Sequence, residues 1–426
     1  MKFKSYKTEI FPNFAQERLM CLHVNVVRFV YNWGLGKIKD CWNSSGIDSG
    51  KKIPSGRVLA KMWTKEKHNF PWTAGVSRMA IDESFDDLQL AMNGFWRNIK
   101  IHSKKEKGFP RFKSRKNVKS TFRFNGVNKQ KKRSSRGFSH ISLPIIGNVK
   151  LAQQNYLPLD RKLISISVSL EAGRWFVSVS VEEDQKLIAS KNEVAAIDLN
   201  IKEIVVSDGS RFENPRPFKN NEEKLSFAHQ MLSKKKCGSH NYEKQKLKLQ
   251  KIHKRISNIR NDFLHKTTSQ IVNENQVIVV EKLNIEGMMG NRNLSKTIQD
   301  IGFGEFLRQI QYKADWRGRG VIVADRWFPS SKICCNCGWK DEKLTLRDRI
   351  FRCQCCKLEI DRDLNASYNL AKIYLEKQYP EEDALEILVS STGGFSGIKA
   401  FGDGNSSSSM VNLDSLSLNK ELGMPK

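Results

Sequence analysis

The sequence predicts a multidomain α+β protein, with a helical lobe, a small β-barrel or sandwich, and an α/β unit that carries a zinc-binding insert. Three patterns support this fold class. Apolar residues recur at three- and four-residue steps over residues 12–105, and they alternate with polar residues over 118–183. From Glu193 onward, short apolar strands alternate with amphipathic helices, which is typical of an α/β unit with a mixed sheet.

The composition indicates a polyanionic partner. The 426 residues carry a formal net charge of +28, and the sequence pI is about 9.7. Each phosphate that a lysine or arginine neutralises releases counterions, so nucleic acid is the expected partner. A ribosomal-type or membrane-surface protein is the alternative. We expect no membrane partner, because no apolar run reaches the length of a membrane span and no signal peptide precedes a cleavage site.

The N-terminal part predicts one strand and three helices. Residues 2–11 alternate like a strand, and the first amphipathic helix begins near Phe14 and ends at the turn that starts at Asn43. The second helix is predicted over Gly56–His68 and the third over Ser77–His102. Aromatic side chains in the third helix keep the helical period, so we interpret them as core residues rather than as platforms for nucleobases.

A basic segment with interleaved phenylalanines, KKEKGFPRFKSRK, begins at Lys104. Its cations can contact phosphates while its rings stack on bases. The alternative is a solvated loop between two domains. Under the first interpretation the candidate nucleic-acid contacts are Phe109, Arg111, Phe112, Lys113, Arg115 and Lys116, and we add Lys332 beside the cysteine motifs.

Alternating strands follow in the predicted barrel, for example Leu163–Leu170 and Trp175–Val181. The N-terminal strand can complete this barrel, and the basic segment Lys129–Arg136 lies in one of its loops. Farther along, Leu225–Asn273 predicts two basic helices, which we interpret as facing nucleic acid. Charges of this kind that only keep a helix soluble are the alternative.

Two short apolar strands each carry one acid. The segment VAAIDLN contains Asp198, and VIVVEKL contains Glu281. An ionised carboxylate among apolar neighbours is costly unless it is paired or holds a metal. Asp361 and Asp363 precede the final predicted helix and offer a third acid. Three carboxylates at one sheet edge suit two Mg²⁺ ions and the hydrolysis of a phosphodiester, although a single buried acid is more often structural.

Two CxxC pairs precede these last acids. Four thiolates at this spacing can enclose one structural Zn²⁺. The neighbouring thiols of Cys335 and Cys355 leave the choice of ligands open, and we choose the set in which Gly338 directly follows a ligand and allows a tight turn. The predicted zinc ligands are Cys334, Cys337, Cys353 and Cys356. A disulfide is the weaker alternative, because nothing else in the chain resembles a secreted protein.

Seven segments in this order resemble the TnpB family, which is encoded in bacterial and archaeal insertion sequences and is related to the type V CRISPR effector nucleases. The resemblance extends to about residue 380. The segments are FVYNW at 29–33, GFPRFKSR at 108–115, AIDL at 196–199, RNDFLHK at 260–266, VVEKL at 279–283, PSSKICCNCG at 329–338 and DRDLNA at 361–366. The first acidic motif departs from the family pattern, because Ala196 and Asn200 stand where glycines are usual.

The resemblance implies an RNA-guided DNA endonuclease. Such a protein binds a guide RNA from the right end of the transposon, checks a short motif beside the target, and cleaves double-stranded DNA with a RuvC domain of RNase H-like fold. The resemblance places the catalytic acids at Asp198, Glu281 and Asp363, with Asp361 as the fallback, and implies two Mg²⁺ ions and one Zn²⁺. We expect a monomeric ribonucleoprotein in the prokaryotic cytoplasm, associated with the nucleoid.

The resemblance also implies a domain division. The ranges are 1–11 and 106–190 for a wedge β-barrel, 12–105 for a helical recognition lobe, 191–327 and 358–380 for the RuvC nuclease domain, 328–357 for a zinc-ribbon insert that binds the target nucleic acid, and 381–426 for a disordered tail. Two alternatives remain at this stage. One is a nuclease-inactive, RNA-guided DNA-binding protein, and the other is a transposase or its accessory protein.

Overall fold

The computed structural model describes residues 2–45, 53–100, 108–115, 120–127, 138–184, 187, 189–325, 328–345 and 348–378. Lys116, the segment Lys129–Arg136 and the tail 381–426 lie outside these ranges. The chain folds into two compact units. The first unit comprises Met1–Ala189, Pro215–Ser269 and Met289–Gly318, and the second comprises Ser190–Asn214, Gln270–Met288 and Arg319–Lys426. The domain boundaries implied by the resemblance are not tested by this grouping and stay predictions.

A six-stranded antiparallel sheet forms part of the first unit. Its strands are β1 (Lys2–Phe11), β2 (Ser120–Asn125), β3 (His140–Leu143), β4 (Gly147–Leu151), β5 (Leu163–Glu171) and β6 (Arg174–Glu183), in the spatial order β2-β5-β6-β1-β4-β3. β1 therefore lies inside the sheet, and it pairs with β6 from Lys2–Glu183 to Ile10–Trp175. Among the described residues, β2 and β3 are the edge strands. Alternate side chains of β6, including Val177 and Val179, point into the core.

The helical lobe consists of α1 (Phe14–Ser45), α2 (Gly56–Glu66) and α3 (Arg78–Lys100). Their apolar faces share one buried cluster that includes Val30, Leu35, Phe85 and Leu88. α2 ends at Glu66 instead of His68, and two short 3₁₀ turns follow, Lys67–Asn69 and Pro71–Thr73. Pro71 limits the helical stretch that follows, because the residue before a proline is pushed out of the helical conformation, and Phe70 has φ −128° and ψ 62°.

Five more helices lie between Glu222 and Arg317 along the chain: α4 (Glu222–Ser233), α5 (His240–Glu274), α6 (Ile285–Gly290), α7 (Arg292–Ile301) and α8 (Phe303–Arg317). The predicted break between α4 and α5 is confirmed, and Gly238 has φ +80° there. Leu225 and Ala228 of α4 pack against Leu249 and Ile256 of α5. Apolar residues at helical spacing thus form the contact between the two helices.

The second unit contains a mixed five-stranded sheet. Its strands are β7 (Asn192–Leu199), β8 (Glu203–Val206), β9 (Arg211–Glu213), β10 (Asn275–Glu281) and β11 (Gly320–Ala324), in the order β11-β10-β7-β8-β9. β7, β8 and β9 form an antiparallel meander, whereas β10 is parallel to both β7 and β11. The central strands are almost continuously apolar, as expected of strands buried on both faces. The predicted mixed sheet is confirmed.

The cysteine-rich segment stands between this sheet and the last helix. The hairpin of β12 (Ile350–Arg352) and β13 (Glu359–Asp361) leads directly into α9 (Arg362–Gln378). Leu370 and Ala371 of α9 share a buried cluster with Ala196 and Val279 of the sheet and with residues of the cysteine-rich segment. None of the described helices combines the length and the apolar composition that a bilayer crossing requires.

Candidate active site and metal centre

Asp198 and Glu281 occupy the same end of two adjacent parallel strands. β7 and β10 pair up to Ile197 and Val280, and each acid is the next residue along its strand. Asp363 lies in the first turn of α9, a helix that packs on these strands. Because parallel strands end at the same sheet edge, the fold brings together three acids that lie far apart in the sequence.

The other two acids act electrostatically on Asp198. The Asp198 side chain is partly exposed, but its carboxyl group lies deep among protein atoms. Burial raises the pKa of Asp198 to about 7, and the negative charges of Asp363 and Glu281 contribute to this rise. Burial also raises the pKa of Glu281. A cluster of this kind holds negative charge that a bound cation can offset.

Polar neighbours orient two of these acids. The Asn200 amide donates a hydrogen bond of 2.9 Å to Oδ2 of Asp198, so the departure from glycine at this position supplies a contact that orients this carboxyl group. The buried guanidinium of Arg362 donates to Oδ1 of Asp363 from Nε at 3.3 Å and from Nη2 at 3.1 Å. Arg349 lies 3.8 Å from the other oxygen of Asp363. Asp363 therefore has cationic partners within the protein itself.

Asp361 has a different task from Asp363. Its Oδ1 accepts hydrogen bonds from the backbone N–H groups of Asp363, at 3.0 Å, and Leu364, at 3.1 Å. Arg211 contacts the same oxygen at 3.1 Å. These contacts make Asp361 the N-cap of α9, because a side-chain oxygen there satisfies N–H groups that have no partner within the helix.

The four predicted cysteine ligands converge. Their sulfurs all lie within 4.8 Å of one another, with 3.6 Å between Cys334 and Cys356 and 3.4 Å between Cys337 and Cys353. Tetrahedral zinc with Zn–S bonds of about 2.3 Å places sulfurs roughly 3.8 Å apart, so this donor set fits the ion. Gly338 has φ +75°, as the tight turn requires.

The remaining thiols and the acids contrast with this cluster. Cys335 is buried outside the group of four, and Cys355 is exposed. Among the described residues, these four sulfurs form the group of potential metal-ligand atoms whose mutual distances all stay within 4.8 Å. The carboxylate oxygens of the three acids are therefore spread more widely. Carboxylates that hold two ions about 4 Å apart need not meet at one point.

The predicted nucleic-acid contacts have varied surroundings. Phe109 packs against Trp42 and Phe95, with ring centroids 5.8 and 5.3 Å away, and so contributes to the lobe's core. Lys113 lies 3.7 Å from Asp87, and its ammonium stands 3.7 Å from the ring centroid of Tyr31. These two side chains already have protein partners.

Others of the predicted contacts are more accessible. Phe112 is 51% exposed, with the Lys39 ammonium 4.5 Å from its ring centroid. Arg111 and Arg115 are exposed, and Lys332 donates to the Glu342 carbonyl at 3.3 Å. Their contact with nucleic acid stays a prediction.

Sequence reasoning missed several residues around the acids. The segment that begins with DRDLNA contains Arg362, Asn365 and Asn369, but only its two aspartates were predicted to be functional. Arg211 reaches Asp361 from β9, a contact that no local pattern indicates. A charge next to a candidate metal ligand, as in the Arg362–Asp363 pair, is the one signal that could have been followed.

Comparison with known proteins yields three family matches along the chain. Residues 1–46 match a family described as "Helix-turn-helix domain", 176–292 match "Probable transposase" of the OrfB/IS605 type, and 303–370 match "Cas12f1-like, TNB domain". The matches follow one another without overlap, and the last includes both the cysteine cluster and Asp363.

Individual relatives extend over most of the chain. A protein of Streptomyces pristinaespiralis, assigned as an RNA-guided DNA endonuclease, is 29% identical over 86% of this chain and 88% of its own length. InsQ of Escherichia coli K12, assigned likewise, is 28% identical over 87% of this chain and 92% of its own length. TnpB-like protein L79 of Acanthamoeba polyphaga mimivirus is 27% identical over 32% of this chain and 26% of its own length. Together with the family matches, these relatives show that the chain is similar to TnpB-like proteins and to proteins assigned as RNA-guided DNA endonucleases.

Proposed function

We propose that this protein is an RNA-guided DNA endonuclease. It binds a guide RNA derived from the right end of its transposon and cleaves target double-stranded DNA beside a short flanking motif. The observation that carries the proposal is the meeting of Asp198, Glu281 and Asp363 at one end of the second unit's sheet. Full-length relatives assigned as RNA-guided DNA endonucleases support the same activity.

The acids are the proposed catalytic centre. Carboxylate oxygens are the ligands that Mg²⁺ prefers, and Asp198, Glu281 and Asp363 would hold two such ions. When bound, these ions stabilise the attacking and leaving oxygens of a phosphodiester. Asn200 keeps the Asp198 carboxylate oriented, while Asp361 fixes the start of the helix that carries Asp363. The antiparallel meander with two parallel strands beside its first strand supports an RNase H-like domain of the RuvC type.

The cysteine cluster is the proposed structural zinc site. Four sulfurs at the observed separations suit tetrahedral Zn²⁺, which has no redox chemistry. Here the ion would only hold together the two CxxC turns, which we call the first knuckle (Cys334–Cys337) and the second knuckle (Cys353–Cys356). We assign this segment as a zinc ribbon that contacts the target nucleic acid, with Lys332 on its surface. The match of residues 303–370 to the Cas12f1-like TNB family supports this assignment.

Guide and target both fit the charge of the chain. A net charge of +28 favours two polyanionic partners, and the exposed Arg111, Phe112 and Arg115 are proposed contacts. Base pairing between guide and target supplies sequence specificity, and the protein contributes backbone contacts. A DNA target places the protein at the nucleoid of a prokaryotic cell, and we propose that it works as a monomeric ribonucleoprotein.

The test is reconstitution with the flanking RNA. The protein is co-expressed with the right end of its transposon, the RNA that co-purifies is sequenced, and a matching DNA duplex is added with Mg²⁺. We expect cleavage by the wild type and a drop of at least about a hundredfold in the Asp198→Ala variant, because one metal-holding carboxylate is gone. Guided binding without cleavage would favour the nuclease-inactive alternative, and strand transfer without RNA would favour a transposase.

A further inference from the structure

Two buried asparagines of α9 hold the backbone of the first cysteine knuckle. The Asn365 side chain is fully buried, its Nδ2 donates to the Ile333 carbonyl at 2.6 Å, and its Oδ1 accepts from the Cys335 N–H at 2.9 Å. Asn369, one turn later and 3% exposed, donates to the carbonyls of Ser330 at 2.8 Å and Ile333 at 2.6 Å. We call Asn365 and Asn369 the asparagine clamp.

The asparagine clamp contacts the first knuckle between its two proposed metal ligands. Cys335 stands between the proposed ligands Cys334 and Cys337, so a hydrogen bond to its N–H fixes the backbone that presents both sulfurs. A buried amide needs an acceptor for its N–H group and a donor for its oxygen. For Asn365 the acceptor is the Ile333 carbonyl and the donor is the Cys335 N–H group. The orientation of the Asn365 amide is therefore determined by the knuckle backbone.

The second knuckle reaches the same helix covalently. From Cys356 the chain passes through β13, whose last residue is Asp361, and enters α9 at Arg362. An ion shared by the four sulfurs would thus close a ring that runs from one knuckle through β13 and α9, and back through Asn365 to the other knuckle. Asp363 lies within this ring, two residues before Asn365.

Apolar packing alone would not fix this geometry. Tyr368 and Ala371 of α9 share a buried cluster with Cys335 and Phe351, and such contacts stabilise the helix on the ribbon without specifying its rotation. Hydrogen bonds are directional, so the clamp sets how far α9 is turned and where along its axis it stands. Both quantities decide where the Asp363 carboxylate points.

We propose that Asn365 and Asn369 are positioning residues that couple the cysteine metal site to the acidic site. A metal ion bound by the four thiolates fixes the position of the first knuckle. The hydrogen bonds of the asparagine clamp then fix the position of α9, and with it the position of the Asp363 carboxylate at the site of the hard cation. The two metal sites are then linked thermodynamically, and each increases the affinity of the other for its ion. This inference rests on the proposed function, because it assumes both metal sites.

The test measures binding of Mn²⁺, a paramagnetic substitute for Mg²⁺, to the full chain without nucleic acid. Electron paramagnetic resonance titrations compare zinc-loaded with zinc-stripped protein, for the wild type, Asn365→Ala and the control Asn336→Ala. Asn336 is an exposed asparagine of the same knuckle. We expect zinc removal to weaken Mn²⁺ binding about tenfold in the wild type and in Asn336→Ala, as supporting contacts of metal sites do.

The Asn365→Ala variant should behave differently. In its zinc-loaded form we expect the same weakening of Mn²⁺ binding, about tenfold, and little further change when zinc is removed. The reverse effect gives a second readout, since Mn²⁺ should slow the transfer of zinc to a chromophoric chelator in the wild type but not in the variant. If Asn365→Ala does not show the wild-type circular dichroism spectrum, Asn369→Ala, which removes only the hydrogen bonds to Ser330 and Ile333, replaces it.

The outcomes separate this inference from the proposed function. The coupling is overturned if zinc removal leaves the affinity of the wild type for Mn²⁺ unchanged, or if it weakens Mn²⁺ binding in Asn365→Ala as much as in the wild type. Either result leaves the proposed nuclease function intact. A wild-type protein that binds no Mn²⁺ in either zinc state overturns the acidic metal site, and the inference fails with it.

Discussion

Asp361 and Asp363 lie two positions apart, and their surroundings assign them different tasks. Asp361 uses one oxygen to accept two backbone N–H groups at the start of α9 and to contact Arg211. Asp363 is buried beside Arg362 and adds to the charge felt by Asp198. A cation that binds at Asp363 can use Oδ2, which lies 3.8 Å from Arg349, or share Oδ1 with the Arg362 guanidinium.

Substitution by asparagine distinguishes the two acids. Asp361→Asn keeps a good N-cap and should leave DNA cleavage within a few fold of wild type, since Asn caps about as well as Asp. Asp363→Asn removes a charge from the proposed metal site and should lower the cleavage rate by at least about a hundredfold. Single-turnover cleavage of a guided target measures both, and equal reductions in the two variants would contradict the division of tasks.

Lys313 of α8 is a cation buried among neutral acceptors. Its ammonium donates to the His265 carbonyl at 2.8 Å and to the hydroxyls of Thr268 at 2.6 Å and Ser269 at 2.8 Å. Burial lowers the pKa of Lys313 from 10.5 to about 8, and the charge of Glu305 opposes this shift. The neutral acceptors solvate the ammonium but do not neutralise it.

Stability should therefore depend on pH through Lys313. Between about pH 8 and 10.5 the unfolded chain holds the Lys313 proton that the folded chain has released, so this group makes unfolding harder as the pH rises across that interval. Urea unfolding at several pH values, for wild type and Lys313→Met, measures the difference between the two free energies of unfolding. We expect the free energy of unfolding of the wild type to rise relative to that of Lys313→Met from about pH 8 upward. A difference between the two proteins that does not change with pH would contradict the lowered pKa of Lys313.

At the scale of elements, strongly periodic segments were predicted well. The strands expected over Leu163–Leu170 and Trp175–Val181 lie within β5 and β6, and the segment Leu225–Asn273 divides into two helices as predicted. Helix ends were less accurate, because they depend on local details such as the 3₁₀ turn Lys67–Asn69 that follows α2. The position of β1 inside its sheet could not be read from β1, since pairing with β6 is a long-range contact.

The candidate site shows the same limit. The strands that bear Asp198 and Glu281 were predicted from their apolar runs, and the structure places them side by side. The asparagine clamp and the Arg211–Asp361 contact were not predicted, because each joins elements distant in sequence. Polar residues in such roles have no periodicity that could reveal them.

The C-terminal end of α8 offers a test at this scale. Gly318 has φ +68°, and its N–H closes the helix by donating to the Ala314 carbonyl. An L-residue in this left-handed conformation is strained, so Gly318→Ala should lower the free energy of unfolding by about 1–2 kcal/mol. Urea denaturation measures this change. Gly94→Ala inside α3 serves as the control, because a helix interior favours alanine and this variant should not be destabilised.

For the whole molecule, the net charge of +28 predicts steep salt dependence of RNA binding. If about six to ten phosphates are contacted, affinity for the guide RNA should fall by about 10³–10⁵ between roughly 50 and 200 mM salt. Fluorescence anisotropy with labelled RNA measures the slope of log affinity against log salt. A nearly flat dependence would mean that the charge is not used in binding.

The same titration tests the predicted nucleic-acid contacts. The double variant Arg111→Ala/Arg115→Ala should reduce the magnitude of the slope by about 1 for each phosphate that these arginines neutralise in the wild type. Arg57→Ala, which removes an exposed charge on α2, is the matched control and should keep the wild-type slope. A double variant that behaves like Arg57→Ala would assign the segment to a solvated loop.

The interior position of β1 has a consequence for synthesis of the protein on the ribosome. β1 is translated before β6, the partner that covers almost its whole length and that ends only at Glu183. At roughly 5–20 residues per second, about ten to thirty seconds separate the emergence of the two strands. During this delay the nascent chain offers an unpaired strand to chaperones, and a guide RNA can meet the finished sheet only after β6 has emerged.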